Sequence, residues 1–436
     1  MLYSLNMAKK IHIHFLGIAG SGASAVAAIA QARGYKVSGC DHHPFNEFTA
    51  IFDQTKLREG HNPEHLHDAD VVAISPAITW LDQNNPELVE ARRRKIPILT
   101  WQQFMGKYLE KGKIVIAVCG THGKSTTTAM IGTLLENAGL DPAVELGAIV
   151  PEWQTNYRIG VGKYFVTEAD EFNDNFLASH PDITIVTAVE MDHPEYYRDF
   201  DAYKKSFVKF LRQNKGLLIV NMQDRGVQEV IEVLKPRQPV IDYSQNLIDF
   251  SLSVPGQYNN LNASAVFQTG LALGIKPEVI RKSLQNFSGI GRRFELLGTY
   301  QGAKVYSDFA HHPTEIEVTL NAAREKFPNS KITVVFQPHM FSRTHFLFND
   351  FVNVFQQLPV DQIFIQDIYP SREVDTGVVN SRQLVEAIDK DSVIYSPDPE
   401  DILKKLQHSA DENSVIFFVG AGETHNLAKQ LVNENK

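Results

Sequence analysis

With 436 residues, 43% hydrophobic and 21% charged, the chain has the make-up of an ordinary globular protein and length for roughly two to four domains. A formal net charge of −9 argues against nucleic-acid binding as the main business, and no apolar run of about 18 residues offers a membrane span. The opening "MLYSLNMAKK" lacks the apolar core of a signal peptide, so a cytoplasmic protein is expected; Cys40 and Cys119, the two cysteines, read as packing residues without a disulfide framework.

Strand-like and helix-like stretches alternate from end to end, which predicts parallel α/β layers. Residues 11–41, "IHIHFLGIAGSGASAVAAIAQARGYKVSGCD", read as strand, glycine turn, helix and second strand. Gly17, Gly20 and Gly22 are spaced G-x-x-G-x-G, whereas the dinucleotide fingerprint is G-x-G-x-x-G, although Asp41 ends the second strand where such folds hold a ribose hydroxyl. The turn suits a diphosphate on a helix N-terminus; a dehydrogenase and a purely structural turn are the alternatives. The section continues through "DADVVAISPAI", which carries Ser75, and the helix-like "PELVEARRRK" to "WQQFMGKYLEKG".

The apolar run "KIVIAV" (113–118) then leads into "VCGTHGKSTTTAM". Gly123, Lys124 and Ser125 close a phosphate-binding loop, but Val118 stands where the opening glycine of G-x-x-x-x-G-K-[ST] belongs. Strand, loop and the following helix, expected to end near Gly139, aim backbone N–H groups and a positive helix end at an anion. Lys124 suits the β/γ-phosphates, and the hydroxyl of Ser125 or Thr126 suits Mg²⁺.

Next, "FVTEADEFNDNFL" (165–177) packs four acidic residues between Glu168 and Asp174, and "ITIVTAVEMDHPEYY" brings Glu190, Asp192 and His193 behind a second buried strand. A run of charge is usually a solvated face; at the end of an apolar strand these oxygens and an imidazole could complete the Mg²⁺ site. A third section opens near "GRRFE", with Arg292 and Arg293. "YSDFAHHPTE" carries Asp308, His311 and His312, and "FQPHMFSRTH" carries His339, Arg343 and His345. Strand–helix pairs follow at "KITVVF", "DQIFIQ", "SVIYS" and "SVIFFVG". Guanidinium forks suit phosphate and carboxylate groups.

The stretches "IHFLGIAGSGASAVA", "AVCGTHGKSTTT", "EADE", "VEMDH", "GRRFE", "DFAHHPTE", "FQPHMFSRT" and "VGAGE" span nearly the whole chain. In that order they resemble the Mur ligases, ATP-dependent amino-acid ligases of bacterial cell-wall synthesis, and within them the alanine-adding branch. The loop without its first glycine is the Mur-type ATP loop. The resemblance implies three α/β domains: a Rossmann-like UDP-sugar domain (1–108), a central P-loop ATPase-like parallel sheet (109–289) and a C-terminal Rossmann-like domain (290–436). It implies that Gly17, Gly20, Gly22, Asp41 and Ser75 hold the UDP part of UDP-N-acetylmuramate. ATP would lie on Gly120, Thr121, His122, Gly123, Lys124, Ser125 and Thr126, with Asn259 and Asn262 at the adenine and Arg292 and Asp308 closing over it. Ser125, Glu168 and His193 would carry Mg²⁺, and His312, His339 and Arg343 would face the carboxylate substrate or L-alanine. Lys124, Glu168, His193, His312 and Arg343 are the implied catalytic set, in a monomer or homodimer.

Four positions depart from the branch pattern: Gln257 and Tyr258 in "GQYNNLN", Phe309 for a tyrosine, and Met340 for an arginine. Phe309 matches the murein-recycling ligase, which attaches an intact tripeptide. That ligase and a folylpolyglutamate-type ligase are the alternative enzymes, and a nucleotide-driven switch is the alternative outside ligation. The implied chemistry is phosphorylation of the lactyl carboxylate by ATP, attack of an amine on the acyl phosphate, and collapse to amide and phosphate. Such transfer between anions needs neutralising charge more than a nucleophilic side chain.

Overall fold

The computed structural model describes residues 10–434; residues 1–9, most of the stretch read for its lack of a signal core, lie outside the described residues. The apolar runs form strands of three separate sheets. The first holds β1 (His12–Leu16), β2 (Lys36–Asp41), β3 (Leu57–Glu59), β4 (Val71–Ile74) and β5 (Ile98–Thr100), all parallel, in the order β3-β2-β1-β4-β5. This is the doubly wound order of a Rossmann-like sheet, and its crevice opens where the strand order reverses, between β1 and β4.

The second sheet comprises β6 (Ile114–Cys119), β7 (Ala143–Val150), β8 (Thr155–Arg158), β9 (Tyr164–Glu168), β10 (Ile183–Val186), β11 (Leu217–Val220) and β12 (Val240–Asp242). Its order is β12-β11-β10-β6-β9-β7-β8, parallel except where β8 turns back on β7. The third has β13 (Glu295–Tyr300), β14 (Ala303–Asp308), β15 (Lys331–Phe336), β16 (Gln362–Ile365), β17 (Val393–Tyr395) and β18 (Ser414–Val419). Its order is β13-β14-β18-β15-β16-β17, with only the edge strand β13 antiparallel. The expected three-domain α/β architecture is present, with two antiparallel edges that the alternating strand–helix pattern did not announce. β7, "AVELGAIV", has an exposed Gly147 within it, so its apolar signal is interrupted.

The central parallel strands are buried on both faces, and helices cover them, while edge strands such as β3 and β12 are partly exposed. Helix Lys124–Asn137 packs Ile131, Leu134 and Leu135 against Val144 and Val166 of the second sheet. The first sheet's helix Ser21–Ala32 has almost no polar face; Ala25, Val26 and Ile29 share a core with Phe165 and Tyr157 of the second sheet, so the first two domains adjoin through apolar contact. No helix among the described residues is long and apolar enough to cross a membrane.

The three glycines of the first turn do different work. Gly17 has φ +76, and a Cβ there would lie 2.8 Å from that of Ser75, so the turn and the end of β4 meet closely. Gly20 has φ −68 and no atom nearer than 3.5 Å to a Cβ. At Gly22 a Cβ would sit 2.4 Å from Trp101 Cζ2. Gly22→Ala is therefore expected to lower stability by about 1–3 kcal/mol by displacing the indole, while Gly20→Ala melts near the wild type; thermal denaturation of the two variants measures the difference.

Candidate active site

The ends of β6, β9 and β10 bring the loop, the acidic stretch and His193 together. Val118 is fully buried within β6 and hydrogen-bonded through its carbonyl to Ala169 N, so the phosphate-type loop begins at Gly120. Gly120 has φ +135, and a Cβ there would meet Thr187 Oγ1 at 2.1 Å; Gly123 has φ +79, with Asn262 Oδ1 at 2.6 Å from the Cβ position. Both positions need glycine for conformation and for space. The helix that starts at Lys124 has no side-chain cap, which leaves its first N–H groups to an anion.

Lys124 Nζ donates to Gly120 O at 2.6 Å and lies 3.0 Å from Glu171 Oε2. Burial opposes its charge, but Glu171, Asp170 and Glu168 overcome this and hold its pKa above the ordinary value. Ser125 Oγ donates to Glu168 Oε1 at 2.9 Å, and Gly147 N donates to Glu168 Oε2 at 2.8 Å. His193, at φ +57, places Nδ1 3.2 Å from Glu195 Oε1 and Nε2 4.0 Å from Glu171 Oε1. Its acidic neighbours are thus Asp170, Glu171, Asp192 and Glu195, and Glu168 belongs to Ser125. The hydroxyl and carboxylate oxygens around Ser125 make a hard donor set of the kind Mg²⁺ takes.

The third domain closes over this edge. Arg343 Nε donates to Asp192 Oδ1 at 2.9 Å, Thr314 Oγ1 donates to Glu190 Oε1 at 2.8 Å, and Arg372 pairs with Glu195. Between the domains lies a cleft of about 690 Å³. Lys124, Ser125, Glu168, His193, His339 and Arg343 all line it, and it reaches the first domain at Ser21, Glu47 and Phe48. A second hollow of about 220 Å³ lies beyond the loop, bounded by His122, Thr126, Tyr258, Asn262, Arg293 and Asp308.

Some expected residues sit differently. His312 lines neither space; it caps helix Pro313–Lys326 and packs against the His122 ring at 4.8 Å, while His311 faces the large cleft. Asn259 is buried, with Nδ2 donating to Pro255 O at 2.7 Å, and of the two expected asparagines it is Asn262 that borders the smaller hollow, beside Asn221. Arg292 lines the large cleft and donates to Gly420 O at 3.0 Å, while Arg293 borders both the large cleft and the smaller hollow and pairs with Glu315 at 3.1 Å. Asp308 uses both carboxylate oxygens on backbone, from Phe294 N and Ala310 N, each at 2.8 Å. In the first domain, Asp41 accepts from Ala19 N at 3.2 Å and Ser75 N donates to Leu16 O at 2.8 Å, so both brace the glycine turn.

Histidine protonation divides along the cleft. At His122, burial is outweighed by hydrogen bonds to Glu190 and Glu315, which raise its pKa to about 9. Burial pushes His311 down to about 3 and His339 to about 2, so both are neutral imidazoles. His311 Nδ1 lies 2.9 Å from Phe309 O and donates to it, which leaves Nε2 as an acceptor.

Three family models cover successive parts of the chain: "Mur ligase family, catalytic domain" over 12–113, "Mur ligase middle domain" over 118–247, and "Mur ligase, glutamate ligase domain" over 292–422. The UDP-N-acetylmuramate–L-alanine ligase of Aquifex aeolicus is 36% identical over 97% of this chain and 97% of that protein. The chain belongs to the Mur ligase family. The enzyme of the same name from Alkaliphilus metalliredigens is 35% identical, again over 97% of each chain. Among solved structures, the UDP-N-acetylmuramate–alanine ligase of Thermotoga maritima is similar with a TM-score of 0.80 at 28% identity, over 97% of this chain and 99% of that one. A murein peptide ligase of Psychrobacter arcticus has a TM-score of 0.71 at 23% identity, over 97% and 98% of the two chains, which is a likeness of fold.

Within this Mur ligase fold, Glu171, His311, Arg293 and Arg372 line or support the site without having been singled out as site residues. Glu171, His311 and Arg293 each adjoin a motif that sequence does display, and only the side-chain direction was hidden. Arg372 sits in "YPSREVD", which carries no strand-end signal.

Lys124→Ala is expected to abolish turnover and also to destabilise the protein by about 3–5 kcal/mol, because Glu171 loses the cation beside it. The double variant Lys124→Met/Glu171→Gln should regain much of the melting temperature and none of the activity. Since the pKa of His122 is raised from 6.5 to about 9, the charged ring contributes fully below pH 6.5 and its contribution is lost as pH rises through 9. Melting curves of wild type and His122→Gln across that range should converge toward the alkaline end.

Proposed function

We propose that this Mur ligase joins L-alanine to the lactyl carboxylate of UDP-N-acetylmuramate at the expense of ATP, in the cytoplasm, as a step of peptidoglycan precursor synthesis. The observation that carries this reading is the single cleft in which Lys124, Ser125 and Glu168 of the second domain face Arg343 and His339 of the third. Full-length similarity to ligases of that name supports it. We infer a domain division at 108/109 and 289/290, which the separation of the strands into three sheets supports.

In this reading the loop from Gly120 to Thr126 cradles the ATP phosphates, and Asn262, Arg293 and Asp308 bound the hollow for the rest of the nucleotide. Mg²⁺ at Ser125 and Glu168, with His193 at a second position beside Glu171, would neutralise phosphate charge during transfer. Lys124 stabilises the charge that develops as the γ-phosphoryl group passes to the lactyl carboxylate, yielding ADP and an acyl phosphate. Arg343 holds a carboxylate as a fork, and the amine attacks once its ammonium has lost a proton to solvent, with His311 Nε2 as a hydrogen-bond acceptor for it. The tetrahedral adduct collapses with loss of phosphate, forming the amide. The turn around Gly17, Asp41 and Ser75 receives the UDP portion, with the sugar directed into the cleft past Ser21. Closure of the third domain keeps water from the acyl phosphate.

Phe309 favours one competing reading, attachment of an intact peptide. Product mass spectrometry with ATP, UDP-N-acetylmuramate and either L-alanine or the tripeptide separates them. The alanyl adduct should form faster; faster tripeptide addition overturns the assignment. Glycine or L-serine should be poorer donors through the same site.

A further inference from the structure

Away from the cleft, the first domain buries an unusual group of side chains on the sheet face covered by helix Pro86–Arg93. His14 on β1 and Cys40 on β2 point to that face, Glu87 enters from the first turn of the helix, and His65 comes from the turn Pro63–Leu66. Their surroundings are apolar, with Leu16, Leu66, Leu88 and Ala91 in the same layer. His14 is 1% exposed, and Cys40 and Glu87 are 0% exposed.

One carboxylate serves the whole group. His65 Nδ1 lies 2.7 Å from Glu87 Oε1, His61 Nδ1 lies 2.9 Å from Oε2, and Cys40 Sγ lies 3.1 Å from Oε2. His14 Nε2 is left 3.5 Å from Glu87 Oε1 with no hydrogen-bond partner among the described residues. A buried nitrogen without a close hydrogen bond is costly, and this one is aimed into the cluster. The other nitrogen is already fixed: His14 Nδ1 lies 2.8 Å from Ser38 Oγ, which is itself 2.8 Å from His12 Nε2. A metal-binding imidazole is held in this way, one nitrogen tied to the protein and the other presented.

We propose that His14, Cys40, His65 and Glu87 form a tetrahedral zinc site in the first domain. Their four ligand atoms already lie within 4.8 Å of one another. Zinc bonds of about 2.0–2.3 Å put ligands roughly 3.5 Å apart, so side-chain movements of about an ångström complete the shell. Two imidazoles, a thiolate and a carboxylate suit a borderline-soft cation better than Mg²⁺ or Ca²⁺. The charges balance: Zn²⁺ with one thiolate and one carboxylate is neutral, which a buried site tolerates. Binding converts the Cys40 thiol to a zinc-bound thiolate and releases its proton to solvent. Cys40 also accepts, through its carbonyl, the N–H of Gly17 at 2.9 Å. The metal would therefore pin helix Pro86–Arg93 and the His65 turn to the strands that carry the glycine turn, as a structural brace.

The test uses the full chain, free of any affinity tag, stripped by chelator and titrated anaerobically with Co²⁺. The expected result is a thiolate-to-cobalt charge-transfer band in the near ultraviolet with tetrahedral d–d bands in the visible, saturating at one equivalent and abolished by Zn²⁺. Cys40→Ser should lose the charge-transfer band, and His65→Gln should lose the tetrahedral pattern. Ser38→Ala, which removes the hydroxyl shared by His14 and His12 and none of the four proposed ligands, should weaken zinc binding about 10–100-fold in competition with a chromogenic chelator. A wild type without a thiolate band and without a zinc-dependent rise in melting temperature overturns the proposal. So does a band that survives Cys40→Ser, which would assign it to Cys119, and so does an unchanged affinity in Ser38→Ala.

Discussion

A guanidinium and a carboxylate from different domains, 2.9 Å apart and only 3% and 6% exposed, hold the third domain against the second. Taking both charges out of water costs several kcal/mol each, and the pair persists because each partner has further bonds. Asp192 Oδ1 also accepts from His193 N at 2.7 Å, and Arg343 Nη1 donates to His339 Nδ1 at 3.1 Å. This pair joins the walls of the cleft, together with Thr314 on Glu190, Arg372 on Glu195 and His122 on Glu315. The pair also fixes His193, whose backbone is in the left-handed region, so closure and the acidic site beside Glu171 are one arrangement.

The fold was largely legible because each domain repeats one signal, an apolar strand followed by a helix, and each chemical motif ends a strand. Glycine and charge at a strand's end are visible in sequence; which way a side chain then points is not. His311 and His312 illustrate this. Adjacent in "AHHP", one faces the cleft and the other caps a helix, because Pro313 sets the helix start and the single-residue offset turns the two rings to opposite sides. Gly22 is a second case. It completes a glycine triplet that suggests phosphate binding, yet what crowds its Cβ position is the indole of Trp101, nearly eighty residues on. Arg292 and Arg293 differ in the same way, since both line the large cleft but only Arg293 also reaches the smaller hollow.

The site sorts charge by neighbourhood. His122 stands between Glu190 and Glu315 and is held protonated beside the nucleotide loop, where a cation favours phosphate. His311 and His339 lie near Arg343, whose positive charge adds to burial in keeping them neutral. A neutral imidazole beside a fixed guanidinium adds no second positive charge and can accept a hydrogen bond while the guanidinium holds an anion. The same residue type thus serves opposite ends of one reaction, and the difference comes from which charges the folded chain sets beside it.

The two cleft departures from the alanine-adding pattern act differently. Phe309 lies under the Arg292 guanidinium, 4.6 Å from its centre, so the aromatic face that positions this cation is intact and only a hydroxyl is absent. Met340 is fully buried at φ +72, its N–H donating to Tyr369 O at 2.8 Å. Its thioether adds no charge, so in the proposed reading the anion-holding role at this wall falls to Arg343, with Arg372 nearby on Glu195. Because Arg343 is already committed through Nε to Asp192, one edge of its fork anchors the domains and only the remainder is free for substrate. In the proposed reading, substrate carboxylate binding and domain closure therefore draw on the same guanidinium, which would make the closed arrangement a precondition for holding the incoming amino acid.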